Sequence, residues 1–152
     1  MLVPRYYFAD MYTDLYDYFF SQPHKLCTFQ KGDMLWNLGE TIKYVYYIKS
    51  GITKTFIEHE DGHHKIIYFH SKGSVFPGHQ NSEFKIEASI GTQALSAVET
   101  LRFTREEFYR MFQENKTLNA RCFENYSMYI NLLSYEAAHQ EYNSSFIKVC
   151  NL

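Results

Sequence analysis

Apolar and polar positions alternate along the chain in two different rhythms. Over residues 31–78, short aromatic and β-branched runs are separated by glycines at positions 32, 39, 51, 62, 73 and 78. Runs of strand length punctuated by turn residues predict an all-β sandwich or barrel. Asp61-Gly62 lies between two such runs and is the strongest short-range hairpin signal in the chain. The predicted strands cover residues 24–30, 34–38, 44–49, 52–58 and 65–69, with a further segment at 73–78. After a loop to about Phe84, strands near 85–91 and 94–103 close the β part. Residues 44–49 carry VYYI without alternation, which predicts burial on both faces.

Helical spacing flanks this region on both sides. Met11, Leu15, Tyr18 and Phe19 predict a short amphipathic helix within residues 10–21, packed on the sheet edge and stopped by Pro23. Thr104-Arg105-Glu106-Glu107 is a capping box, so a helix starts at Arg105 and turns Phe108, Met111 and Phe112 inward. Asn115 to Thr117 caps a longer helix over about 118–140. Phe123, Tyr126, Ile130, Leu133, Ala137 and Gln140 follow spacings of 3, 4, 3, 4 and 3, a heptad seam suited to a partner helix. Leu118, Cys122, Tyr129 and Leu132 form a second apolar face suited to the barrel. A helix apolar on two sides needs two neighbours, so a homodimer is expected. One wide stripe buried within a single monomer is the competing account.

The chain's 152 residues fit one domain able to bury a core without staples. Its 14 Tyr and 13 Phe exceed what a core needs and suit a ligand pocket. A formal net charge of −2 gives no basic footprint for nucleic acid. Three scattered cysteines without CxxC give no zinc or redox pair and fit a reducing cytoplasm. No signal peptide or long apolar span is present, so no membrane partner is expected.

The ordered set KGD, GE, YYI, SG and DG, followed by KG and Gly78, closing strands, a capped helix and a heptad helix, resembles one family over roughly residues 22–152. That family is the transcription regulators of the cyclic AMP receptor and fumarate–nitrate reduction (Crp/Fnr) type. The resemblance implies a mainly β fold with α: an eight-stranded double-stranded β-helix, or jelly roll, then a dimerisation helix. The implied organisation is an N-terminal helical segment at 1–23, the jelly roll at 24–103, the capped and dimerisation helices at 104–142, and a hinge at 143–152. The hinge would lead toward a winged helix-turn-helix that lies outside this chain, and DNA would be met only through that domain.

The pocket departs from the family pattern. Nucleotide-binding members carry Gly-Glu for the ribose and Arg-Ser/Thr-Ala for the cyclic phosphate; here the matching places hold Gly78-His79 and Ile86-Glu87-Ala88. Isoleucine cannot pair a phosphate, and Glu87 sets like charge against it. Like charge at about 4–5 Å costs up to roughly 3–4 kcal/mol at an effective dielectric of 20, and the lost Arg contact adds about 1.5–3 kcal/mol. A small, largely apolar or aromatic effector is therefore expected, as in the family's chlorophenol-sensing members. Its site would comprise Phe76, Gly78, His79, Ile86, Glu87 and Ala88 from the roll, with Tyr126 and Tyr129 from the helix.

Other chemistry is thinly supported. Phe76-Pro77-Gly78-His79 resembles the Phe-Cys-x-His segment of haem-based gas sensors, but Pro77 stands where the cysteine would be, leaving only His79 for iron. His59, His63 and His64 flank the Asp61-Gly62 turn, where an exposed polar tip is expected rather than a metal. No catalytic motif is present, so the chain is expected to be neither an enzyme nor a resident-cofactor protein. The alternatives are a ligand-free dimerisation or interaction module of the same fold and a haem sensor through His79.

Overall fold

The computed structural model describes residues 6–59, 61–77 and 90–142. Nine strands and three α-helices fall among them: β1 (Tyr7–Phe8), α1 (Tyr16–Ser21), β2 (Lys25–Phe29), β3 (Met34–Trp36), β4 (Tyr44–Ser50), β5 (Ile52–Glu58), β6 (His64–Ser71), β7 (Val75–Phe76), β8 (Ile90–Ala94), β9 (Val98–Thr104), α2 (Arg105–Glu114) and α3 (Lys116–Tyr142). One sheet runs β1-β6-β5-β8-β3 and the other β2-β9-β4-β7. Strands β2–β9 make the eight-stranded jelly roll, and β1 is an addition to it.

Strand β4 explains how the layers stack. Val45 and Tyr47 join Leu101 and Phe103 of β9 on one face, where Tyr12, Leu15, Phe19, Phe108, Met111, Leu118 and Cys122 cover them. Tyr46 and Ile48 point the other way, into the sandwich, against Leu35, Phe76, Ala94 and Val98. All four central residues are buried, as the unbroken apolar run requires. The β4–β5 corner needs Gly51, whose φ is +91° and whose added Cβ would sit 2.2 Å from the Ala97 carbonyl oxygen.

The Asp61-Gly62 hairpin forms as expected, with the Gly62 N–H donating to the His59 carbonyl at 2.8 Å. The capping box also forms: the Glu107 N–H donates to Thr104 Oγ1 at 3.2 Å, and the Thr104 N–H donates to Glu107 Oε2 at 2.8 Å. Asn115 caps α3 by accepting from the Leu118 N–H at 2.9 Å.

Three expectations need correction. The N-terminal segment is not only helical. Tyr7 and Phe8 form a parallel strand beside Phe69 and His70, and a 3₁₀ turn over Thr13–Leu15 precedes α1. Nor does the helical part of that segment, residues 10–21, lie on a sheet edge; Tyr12, Leu15 and Phe19 are its buried positions and pack on a sheet face, with Met11 and Tyr18 only partly buried beside them. Finally, Gly91 does not end a strand. It sits inside β8 opposite Phe56, where a Cβ would lie 3.0 Å from Met34 Cε and 3.1 Å from Phe56 Cζ. The turn falls after Ala94 instead.

Candidate functional site

Helix α3 crosses the five-stranded sheet with its two faces divided as the spacing predicts. Leu118, Cys122 and Leu132 are buried against the roll. Phe123, Ile130 and Leu133 remain 59%, 62% and 53% exposed, so more than half of each side chain is left uncovered by the described residues of one copy. Ala137 is exposed with them, Tyr126 is half-buried, and the side chain of Gln140 lies outside the described residues.

Between α3 and the sheet lies a cavity of about 590 Å³, within the range of sites that hold a small organic molecule. The sheet contributes Trp36, Ile57, Ile67, Tyr68 and Ile90; β7 and the following turn contribute Phe76 and Pro77; α3 contributes Phe123, Tyr126, Ser127, Tyr129, Ile130 and Leu133. Three expected ligand residues, Phe76, Tyr126 and Tyr129, thus meet at one cavity. Four of the expected dimer residues, Phe123, Tyr126, Ile130 and Leu133, line it too. Gly78, His79, Ile86, Glu87 and Ala88 lie outside the described residues. Among the described lining residues none is charged.

Among the lining residues the Ser127 hydroxyl donates to the Phe123 carbonyl at 3.0 Å and the Trp36 indole to the Glu40 carbonyl at 2.9 Å, which leaves the tyrosine phenols as the further polar groups. Burial pushes the Tyr68 hydroxyl up to about 12 and raises Tyr129 well above the ordinary tyrosine value. Both therefore keep their protons at neutral pH. Their rings are 5.1 Å apart. Behind Tyr129 stands His70, 1% exposed, with Nε2 hydrogen-bonded to the Tyr129 hydroxyl at 2.7 Å. Burial drives His70 down to about 3, so the imidazole is neutral. Its ring stacks on Phe76 at 5.0 Å and 18°. Asn125 is buried beside these groups and favours the ionised forms of Tyr12 and Tyr129 against the stronger effect of burial, and Tyr12 donates to Cys122 Sγ at 3.7 Å. A polar string thus runs along an otherwise apolar helix–sheet junction.

Sequence reasoning missed His70, Tyr68 and Asn125. The available signal was period-two alternation in β6, which puts Tyr68 and His70 on one face. Asn125 likewise continues the buried helical face from Leu118 and Cys122 at heptad spacing.

Further along α3, Glu136 accepts hydrogen bonds from the Tyr6 hydroxyl and from Lys65 Nζ, the latter at 3.2 Å. Burial raises its carboxyl, but these bonds and the Lys65 charge outweigh that and hold it below its ordinary value. At the β5–β6 tip, His59 pairs with Asp61 at 3.2 Å and His64 with Glu58 at 2.6 Å. Among the described residues no three His, Cys, Asp or Glu side chains converge on a common point. Nor, among them, is any helix long and apolar enough to cross a membrane.

The described residues thus form an antiparallel jelly roll with a helix laid over an apolar cavity. The family model for the cyclic nucleotide-binding domain matches residues 26–115, and the chain belongs to that family. The Crp/Fnr resemblance is borne out in the fold. CprK in complex with o-chlorophenolacetic acid is similar with a TM-score of 0.72 at 19% identity, covering 91% of this chain and 56% of that one. FixK2 from Bradyrhizobium japonicum is similar with a TM-score of 0.66 at 13% identity, over 80% of this chain and 60% of that one. A CooA variant from Carboxydothermus hydrogenoformans gives 0.68 at 14% identity, over 90% and 86%. The chain therefore spans little more than half the length of the CprK chain. No curated protein matches the sequence.

Proposed function

We propose that this chain is the effector-sensing and dimerisation part of a Crp/Fnr-type transcription regulator, and that its effector is a small, largely apolar or aromatic molecule rather than a cyclic nucleotide. The observation that carries it is the cavity of about 590 Å³ under α3, whose described lining residues carry no charge. A cyclic phosphate buried there would meet no described cation, and a buried unpaired charge is costly. An aromatic molecule would meet tyrosine, phenylalanine and isoleucine side chains. The complex of CprK with o-chlorophenolacetic acid supports such chemistry in this fold.

Phe123, Ile130 and Leu133 serve the proposed dimer seam and the cavity together. A ligand that shifts α3 would alter its packing against a second copy, and the helix pair would favour one arrangement over another. DNA would be bound by a helix-turn-helix domain outside this chain, in the cytoplasm. The cavity would work without a resident cofactor; haem would have to be held by His79, which lies outside the described residues.

A thermal-shift screen of aromatic acids, phenols and ketones tests this, since a ligand that binds only the folded state raises its stability. A hit lost in His79→Ala would also place the loop histidine at the site. Absence of any hit, or a Soret band in the purified protein, would count against it.

A further inference from the structure

His70 touches the cavity only through its neighbours, yet its geometry decides what Tyr129 can offer a ligand. Both ring nitrogens are buried. Nε2 is bonded to the Tyr129 hydroxyl, and Nδ1 has no hydrogen-bond partner among the described residues. The residue facing it across the β5–β6 ladder is Thr53, whose Oγ1 also has no described partner. The neutral ring carries one proton, which can sit on either nitrogen. On Nδ1 it would leave a buried N–H with no hydrogen-bond partner among the described residues, a rare and costly kind of orphan. On Nε2 it donates to Tyr129, and the groups left over are a lone pair on Nδ1 and the proton of Tyr129, a residue that lines the cavity.

With the His70 N–H on its oxygen, the hydroxyl proton of Tyr129 must find an acceptor elsewhere, and Tyr129 lines the cavity. Beside it stands Tyr68, another protonated phenol on the same wall, with no described hydrogen bond to its hydroxyl.

We infer that His70 is a specificity-determining positioning residue: by donating from Nε2 it turns the Tyr129 hydroxyl proton into the cavity, so that with Tyr68 the wall presents two neutral O–H donors to a ligand oxygen. The favoured ligand is an apolar or aromatic molecule bearing a carbonyl oxygen. Two neutral donors with no described cation suit a carbonyl better than a carboxylate, whose charge would be buried without a counter-ion. A ligand offering chiefly N–H donors would leave the two phenol protons without an acceptor. This rests on the reading of the cavity as an effector site.

The test has two arms on the intact chain. Nitrogen-15 NMR of histidine-labelled protein, with His70→Gln to assign the signal, reports which ring nitrogen carries the proton. The expected result is a proton on Nε2; a proton on Nδ1 overturns the inference. The second arm titrates 3-chloroacetophenone, which only accepts, against 3-chloroaniline, which chiefly donates. The ketone should bind at least tenfold tighter, and the preference should collapse in Tyr129→Phe and in His70→Phe but persist in His70→Gln, whose amide keeps a donor near Nε2. Equal binding of the two probes, or tighter binding of the aniline, overturns the ligand class. Neither probe binding, with the proton on Nε2, overturns the ligand class and counts against the effector site, while the tautomer result separately tests the hydrogen-bond assignment.

Discussion

Leu132 and Leu133 are adjacent on α3, yet their exposures are 4% and 53%, and replacing each should have an opposite consequence. Leu132 fills the junction between α3 and the roll. Leu132→Ala leaves a cavity there and should cost about 2–5 kcal/mol. At roughly 2–4 °C per kcal/mol for a domain of this size, that lowers Tm by on the order of 10 °C. Leu133 has about half its surface still to bury. Full burial of a leucine is worth about 1.5–3 kcal/mol, so the exposed half supplies about 1 kcal/mol per copy. In a two-fold interface every substitution counts twice, giving about 2 kcal/mol, or more than a decade in dimer dissociation constant. Leu133→Glu also places two carboxylates in an apolar seam and should weaken the dimer by about two decades or more. Sedimentation velocity should therefore show a dimer for wild type and monomers for Leu133→Glu, while far-ultraviolet circular dichroism shows both folded. A wild type that is monomeric at high micromolar concentration, or a Leu133→Glu variant that dimerises like wild type, refutes the division of the helix into two working faces.

Other expectations follow from single contacts. Thr104→Ala removes the capping box and should cost about 1 kcal/mol, seen as a Tm fall of roughly 2–4 °C. Gly51→Ala strains a positive φ and drives a Cβ against the Ala97 carbonyl; it should destabilise more than Thr104→Ala in urea unfolding. Glu136 has its folded pKa below its unfolded one, so its stabilisation is present above the unfolded value, about 4.3, and is lost as pH falls through the lower folded value. The stability difference between wild type and Glu136→Gln should accordingly shrink on acidification, and a difference that grows would contradict the sign.

How much of this was legible depended on whether the information was local. The capping box needs four consecutive residues, and the Asp61-Gly62 hairpin needs one dipeptide between two strands; both formed as read. The two faces of α3 were legible because their period matches the helix over six turns. Strand β1 was not: two residues show no alternation, and Tyr7 and Phe8 become a strand only because β6 presents a free edge. Gly91 read as punctuation, but its lack of a side chain serves the Phe56 ring across the sheet, a contact between residues distant in sequence. The cavity was half legible. Phe76, Tyr126 and Tyr129 could be named from the resemblance, whereas Tyr68 and His70 gain meaning only once α3 is laid across β6. A lone histidine in an apolar strand gives no sign of the tyrosine it will meet from the far helix.

The central claim is that the space beneath α3 holds a small apolar molecule and not a cyclic nucleotide. The most direct measurement is ligand-observed NMR of small aromatic molecules, with cyclic AMP alongside, against wild type and the cavity-filling variant Ile67→Phe. At least one aromatic molecule should bind wild type with a submillimolar dissociation constant and be displaced from Ile67→Phe, while cyclic AMP shows no binding below about 1 mM. Micromolar binding of cyclic AMP, or aromatic binding that Ile67→Phe leaves unchanged, would contradict the account.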